Sequence, residues 1–150
     1  MWHIVLVEDN PADVVLVREV IHGEKLQAKL LIFTEGESAL AFINNIEEDA
    51  DMPRPNLFLL DLNLPKVDGF VLLNSIRNGE KYKTIPVIVF SSSDSPHDST
   101  KAVQLGASFF RKPFSLDEYF ALGPVLRRAL EPSLPTGFVT KSLENEGIVG

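Results

Sequence analysis

At 150 residues with 45% apolar side chains, the chain has the length of one domain and enough hydrophobic content for a packed core, and a domain of this size buries roughly 68–70% of its unfolded surface without needing covalent staples. The absence of cysteine excludes disulfides and thiolate metal sites, and a net charge of −7 disfavours nucleic acid as a partner. No apolar run approaches the ~20 residues that span a bilayer, and no charged n-region with an apolar h-region marks a signal peptide, so a cytoplasmic protein is expected.

The pattern alternates strand and helix five times. A strand at 3–8 runs through Ile4-Val5-Leu6-Val7 into Glu8-Asp9. Asn10-Pro11 then supplies an N-cap and a first-turn proline for a helix reaching His22-Gly23. On a helical wheel its core stripe reads Ala12, Leu16, Val17, Val20 and Ile21, with Arg18, Glu19 and His22 opposite. Val14 and Val15 fall outside that stripe. A strand at 28–33 and a helix from Gly36 to Glu48 follow, and the acidic, proline-containing stretch 49–55 reads as a loop. The apolar run at 57–60 is a short buried strand ending at Asp61, with Leu64-Pro65 and Asp68-Gly69 leading to a helix that ends at Asn78-Gly79. Pro86 opens a strand at 86–90 that ends in Ser91, Ser92 and Ser93. Asp94-Ser95-Pro96 caps a helix ending near Gly106. A strand at 108–111 gives way at Lys112-Pro113. Ser115 caps a last helix to Leu130, which Gly123-Pro124 should kink or split because proline removes a backbone bond. Arg127-Arg128, near the end of that helix, complement its dipole. Residues 131–150, broken by Pro132, Pro135, Gly137 and Gly147, read as a tail, frayed or packed on a neighbour, so the domain itself spans 1–130.

Strands alternating with helices imply βαβ units and a doubly wound parallel sheet. The expected fold is α/β, a flavodoxin-like (βα)5 sheet in the order 2-1-3-4-5, chosen because it sets the polar ends of strands one, three and four side by side. In such sheets ligands bind at the carboxyl ends of the strands. Glu8, Asp9 and Asp61 would meet there, and two carboxylates ~4 Å apart repel by about 4 kcal/mol at an effective dielectric of 20, which a cation offsets. Mg²⁺ fits best, since it takes oxygen ligands from one or two carboxylates plus phosphate. One carboxylate can act as a nucleophile and form an aspartyl phosphate. Lys112 is the ammonium that would neutralise the transferring phosphoryl group, and Ser91 can donate a hydrogen bond to it.

The combination of Glu8-Asp9, Asp61, Leu64-Pro65, Asp68-Gly69, Ser91 and Lys112-Pro113, each on the appropriate element, resembles the receiver domains of two-component response regulators from residue 3 to about 130. The resemblance implies that Asp61 is the phosphoacceptor, charged by a histidine kinase or histidine phosphotransfer protein. It implies that Asp9 and Glu8, with Asp61 and the backbone carbonyl of Asn63, hold Mg²⁺. The side chains of Asn63 and Ser93 occupy positions that tune dephosphorylation, and Lys112 pairs with the phosphate. Ser91 swings towards the phosphoryl group, and Phe109 is the aromatic that turns inward with it. Val14 and Val15 become a dock for the phosphodonor's helix. The output is a changed surface offered to a downstream protein. The sequence departs from the family in three places. Serine stands at 91 where threonine is common, and the last helix carries Gly123-Pro124, so homodimer geometry does not carry over. The spacing from Gly106-Ala107 to Lys112 is one residue short, which leaves Phe110 as an alternative to Phe109. Three rival readings are a receiver-like module that is never phosphorylated, an aspartyl-phosphate phosphatase of the haloacid dehalogenase type and a flavin binder. Asn63 stands where the phosphatase needs an acid, and the acidic stretch Glu8-Asp9 would repel a flavin phosphate.

Overall fold

The computed structural model describes residues 1–45 and 51–131; the tail expected at 132–150 lies outside them. Five strands, β1 (Trp2–Val7), β2 (Ala28–Phe33), β3 (Leu57–Leu60), β4 (Val87–Ser91) and β5 (Ser108–Arg111), form one parallel sheet in the order 2-1-3-4-5. The central position of β3 explains its sequence. All four of its residues are fully buried because both faces of the sheet are covered.

The helices are α1 (Pro11–Gly23), α2 (Gly36–Asn44), α3 (Gly69–Asn78), α4 (Pro96–Gln104), α5 (Leu116–Tyr119) and α6 (Leu122–Leu130). Alternate strand residues send side chains to opposite faces. Val5, Phe58, Leu60, Val87 and Val89 pack under α2, α3 and α4, while Ile4, Leu6, Leu57, Leu59, Ile88 and Phe90 pack under α1, α5 and α6. Among the described residues no helix is long and apolar enough to cross a membrane.

Helix starts follow local chemistry. The Asn10 side chain accepts from the Ala12 N–H with Pro11 at the first helical position, and Asp68 accepts from the Phe70 N–H. The Ser115 Oγ accepts from the Glu118 N–H as expected. Ser95 begins α4 without a side-chain cap. The last helix is split rather than continuous: α5 stops at Tyr119 and α6 begins at Leu122. A proline ring at 124 clashes with the carbonyl four residues back, that of Phe120, so the break falls there. Helix α2 ends at Asn44, short of the expected Glu48, and residues 46–50 lie outside the described residues.

One expectation for the helices fails, and another holds but is incomplete. Ala12 is exposed; the buried stripe of α1 is Val17, Val20 and Ile21, and Val14 and Leu16 pack against its edge. Arg127 does more than face its own dipole. It pairs with the Glu24 carboxylate at 3.0 Å and donates to the Glu24 carbonyl at 2.6 Å, tying α6 to the end of α1.

Gly69 sets how closely α3 approaches the loop after β3. A Cβ there would lie 2.4 Å from the Asp61 carbonyl oxygen and 2.7 Å from the Leu62 Cα, both backbone atoms that cannot swing aside. Gly69→Ala should therefore destabilise the fold by about 1–3 kcal/mol through overpacking, read as a lower urea midpoint at unchanged m-value. A wild-type midpoint would show that the loop yields freely.

Candidate functional site at the carboxyl edge of the sheet

The carboxyl ends of β1, β3, β4 and β5 bring the predicted polar groups into one cluster. Parallel pairing carries each strand to the same rim: Asp61 N–H donates to the Val7 carbonyl, and Lys112 N–H donates to the Ser91 carbonyl. Glu8 and Ser91 are fully buried and Asp61 nearly so, while Asp9 faces solvent.

Lys112 is the hub. Its Nζ lies 2.7 Å from Glu8 Oε1, 3.0 Å from Asp13 Oδ2 and 3.2 Å from Asp61 Oδ2. The ammonium also stands 5.0 Å over the Phe90 ring. Burial alone would lower the lysine's affinity for its proton. The Glu8 hydrogen bond and the charges of Asp61 and Glu8 outweigh that, so it stays protonated well above the usual lysine range. Burial pushes the Glu8 carboxyl up to about 7 despite the ammonium beside it, and the Asp61 charge adds to the effect.

The acids outnumber the cation. Glu8, Asp13 and Asp61 surround one ammonium, and Asp9 adds a fourth carboxylate beside Glu8 and Asp61. One ligand oxygen from each of Glu8, Asp9 and Asp61 falls within 4.8 Å of the others. Glu8 Oε1 is buried, and the Lys112 ammonium at 2.7 Å is the polar group that faces it. A set of three converging carboxylates with surplus negative charge, two of them buried and one facing solvent, fits a hard divalent cation. Asn63 extends the cluster. Its N–H donates to Asp61 Oδ1 at 3.1 Å, and its side-chain amide reaches the hydroxyls of Ser91 and Ser92 at 3.4 Å.

Ser91 Oγ accepts from the Ser93 N–H at 3.1 Å. The Ser93 hydroxyl itself donates to Asp98 Oδ2 at 2.6 Å, joining the loop after β4 to the first turn of α4. Phe109 and Phe110 separate cleanly by face. Phe109 pairs in register with Val89 and packs on the α4 side, the face that Ser91 shares by strand parity. Phe110 lies 6.0 Å from Phe90 on the α1 and α6 side. The shortened approach to β5 consists of Leu105, Gly106 and Ala107, with Gly106 at φ 77°. Arg77 holds this turn by donating to the Leu105 and Gly106 carbonyls. Val15 is 59% exposed beside the site, whereas Val14 is half-buried against the core, so of the two only Val15 presents a free apolar surface.

Two residues in the cluster escaped the reading of the sequence. Asp13 pairs with Lys112 through one oxygen, and through the other it accepts the Tyr119 hydroxyl. Burial, followed by the Asp13 hydrogen bond, raises the Tyr119 hydroxyl far above the usual tyrosine range. A signal for Asp13 did exist. It sits one helical turn before Val17 and so continues the buried stripe, which places a carboxylate at its upper end.

Comparison with known proteins agrees with this arrangement. The chain is 38% identical over 120 residues to the response regulator Rcp1 of Synechocystis sp., an alignment covering 79% of this chain and 82% of that protein. The Mn(2+)-bound form of Rcp1 superposes with a TM-score of 0.75 at 36% identity, covering 85% of this chain and 93% of that one. The phosphorylated cyanobacterial phytochrome response regulator RcpA gives a TM-score of 0.78 at 32% identity, covering 87% and 95%. The family model for the response regulator receiver domain matches residues 4–122, and with the fold and the acidic rim in place the chain belongs to that family.

Proposed function

We propose that this chain accepts a phosphoryl group on Asp61 from the phosphohistidine of a histidine kinase or phosphotransfer protein. The observation that carries the reading is Asp61 itself, a nearly buried carboxylate at the end of the central strand with Lys112 at 3.2 Å. In the transfer, one Asp61 oxygen attacks phosphorus, the donor's P–N bond breaks and the imidazole nitrogen leaves with the electron pair. Lys112 holds an ammonium at the reacting carboxylate and offsets charge on the phosphoryl oxygens. The Asn63 N–H fixes the orientation of Asp61 through Oδ1.

The cation that suits the site is Mg²⁺, with Glu8, Asp9, Asp61 and the backbone carbonyl of Asn63 as its protein ligands. When bound it supplies positive charge that relieves carboxylate repulsion and screens the incoming phosphoryl group. The Mn(2+)-bound form of Rcp1 and the phosphorylated form of RcpA support both halves of this reading by similarity. The domain then works as a switch rather than a turnover catalyst, because Asn63 cannot relay a proton as an acid would. Ser91 moves towards the phosphoryl oxygens and Phe109 follows on the same face, while Ser93 and Asn63 set how long the phosphate survives. The changed surface is read by a downstream protein in the cytoplasm, and Val15 belongs to the face that receives the phosphodonor.

The test is direct. Acetyl phosphate with Mg²⁺ should label the chain, and peptide mass spectrometry should place the modification on Asp61, with labelling abolished by a chelator. A label on any other residue, or labelling indifferent to the cation, would overturn the assignment.

A further inference from the structure

The two residues that the sequence did not flag form a path out of the site. In the first turn of α1 an aspartate is ordinarily a solvated charge favoured by the helix dipole. Asp13 is largely withdrawn from solvent: its side chain is 14% exposed, and both oxygens are committed, Oδ2 to Lys112 at 3.0 Å and Oδ1 to the Tyr119 hydroxyl. Tyr119 is 4% exposed and is held edge-on against Phe90, with ring centroids 5.6 Å apart. It is the last residue of α5, a helix of four residues that ends at the break before α6.

An ammonium has three N–H donors. Lys112 spends them among three carboxylates. Once Asp61 carries a phosphoryl group it is no longer a carboxylate, and the phosphoryl oxygens that take its place draw the ammonium outward, so Glu8 or Asp13 must give way. The Glu8 side chain is 0% exposed and cannot turn to water, whereas Asp13 retains some solvent access and has a second partner. Asp13 is therefore the partner that yields.

We propose that Asp13 is a positioning residue that holds Lys112 between Glu8 and Asp61, and that through Tyr119 it couples the state of Asp61 to helix α5. This rests on the reading of Asp61 as phosphoacceptor. In the resting state Asp13 fixes the ammonium where the attack occurs. When the phosphoryl group draws Lys112 towards itself, Asp13 loosens, Tyr119 loses its fixed acceptor and α5 relaxes. Coupling of this kind is reciprocal, so disturbing Tyr119 alters the chemistry at Asp61.

The experiment uses the full chain with Mg²⁺ and beryllofluoride, and follows hydrogen–deuterium exchange of the amides at 116–121. Loading wild type should raise exchange there by about fivefold or more, as expected when a local unit loses one of its few ties. Tyr119→Phe, which removes only the hydroxyl, should exchange fast before loading and respond by less than about twofold. Asp13→Asn should slow acetyl phosphate labelling by about tenfold, the scale of a misplaced reacting group, with Mg²⁺ affinity within about twofold of wild type. Asp13→Glu should recover part of the rate. Tyr119→Phe alone should slow labelling, and added to Asp13→Asn it should slow it no further. A purely structural Asp13 would lower the melting temperature and leave the loading response of 116–121 intact. That outcome, or wild-type labelling of Asp13→Asn, overturns the proposal. A wild-type chain that neither binds beryllofluoride nor becomes labelled overturns the phosphoacceptor reading itself, and the coupling with it.

Discussion

Asp61→Asn should remain folded and lose all response to phosphodonors. Asparagine fills the same volume, and its carbonyl oxygen can still accept from the Asn63 N–H as Asp61 Oδ1 does at 3.1 Å. The amide nitrogen that replaces Oδ2 is neither a nucleophile nor an acceptor for Lys112, now 3.2 Å away. Labelling by acetyl phosphate should therefore fall to background. Stability should move the other way. Three carboxylates share one ammonium with Asp9 close by, and two like charges ~4 Å apart repel by about 4 kcal/mol at an effective dielectric of 20. Removing one lowers that repulsion and relieves Glu8, whose carboxyl is pushed up in part by the Asp61 charge. Set against the lost Lys112 pair, a net gain of about 1 kcal/mol is expected, which raises the melting temperature by roughly 2–4 °C in a domain of this size. Residual labelling would move the phosphoacceptor to Asp9 or Asp13. A large fall in melting temperature would mean that Asp61 is structural first.

The parts of this site that the sequence made legible are those written in short segments. Glu8-Asp9, Asp61 and Lys112-Pro113 each follow an apolar strand, and strand ends are marked by the switch from apolar to charged residues. The order of strands put those ends together, and the structure has that order. The pairing of Lys112 with Asp13 was hidden because it spans 99 residues, and Tyr119 meets Asp13 across 106. Periodicity places a residue on a face but does not say what the opposite element presents to it. Ala12 was misplaced for the same reason: the wheel gives the width of the apolar stripe, while its centre depends on how α1 lies across the sheet. The choice between Phe109 and Phe110 needed the register of β5 against β4, which a parallel pair joined by a helix does not reveal. Pro124 announced a break, but the break lies at the carbonyl it would crowd rather than at the proline.

Lys112→Met should produce a large loss of stability, and the loss should depend on pH. Methionine retains the apolar stem that crosses Phe90 but removes the one ammonium that the described residues bring to the cluster. Glu8, with no exposed side-chain surface, and Asp61, at 5%, would be left without their cation. Taking one partner from a buried ion pair costs about 3–5 kcal/mol, which at 2–4 °C per kcal/mol lowers the melting temperature by roughly 10 °C. The direction with pH follows from Glu8. Its folded-state pKa is already about 7, above its ordinary value of 4.5, because burial disfavours the charge. A raised folded value means that this group's stabilisation is whole below its unfolded pKa and is lost as pH rises through the folded one. Without the ammonium that opposes burial, the folded value climbs further and the loss continues to higher pH. The deficit against wild type should then be larger near pH 8 than near pH 5, because above pH 7 wild type has shed the Glu8 proton and loses no more, while the variant must still take that proton up on folding, about 1.4 kcal/mol for each further pH unit. Mg²⁺ should recover part of it, about 2.7 kcal/mol at a hundred times its dissociation constant, since it returns positive charge to the same oxygens. Urea unfolding at the two pH values, with and without the cation, measures all three quantities. An equal deficit at both, untouched by Mg²⁺, would assign the loss to packing around Phe90 and remove charge balance as the reason that this lysine lies where it does.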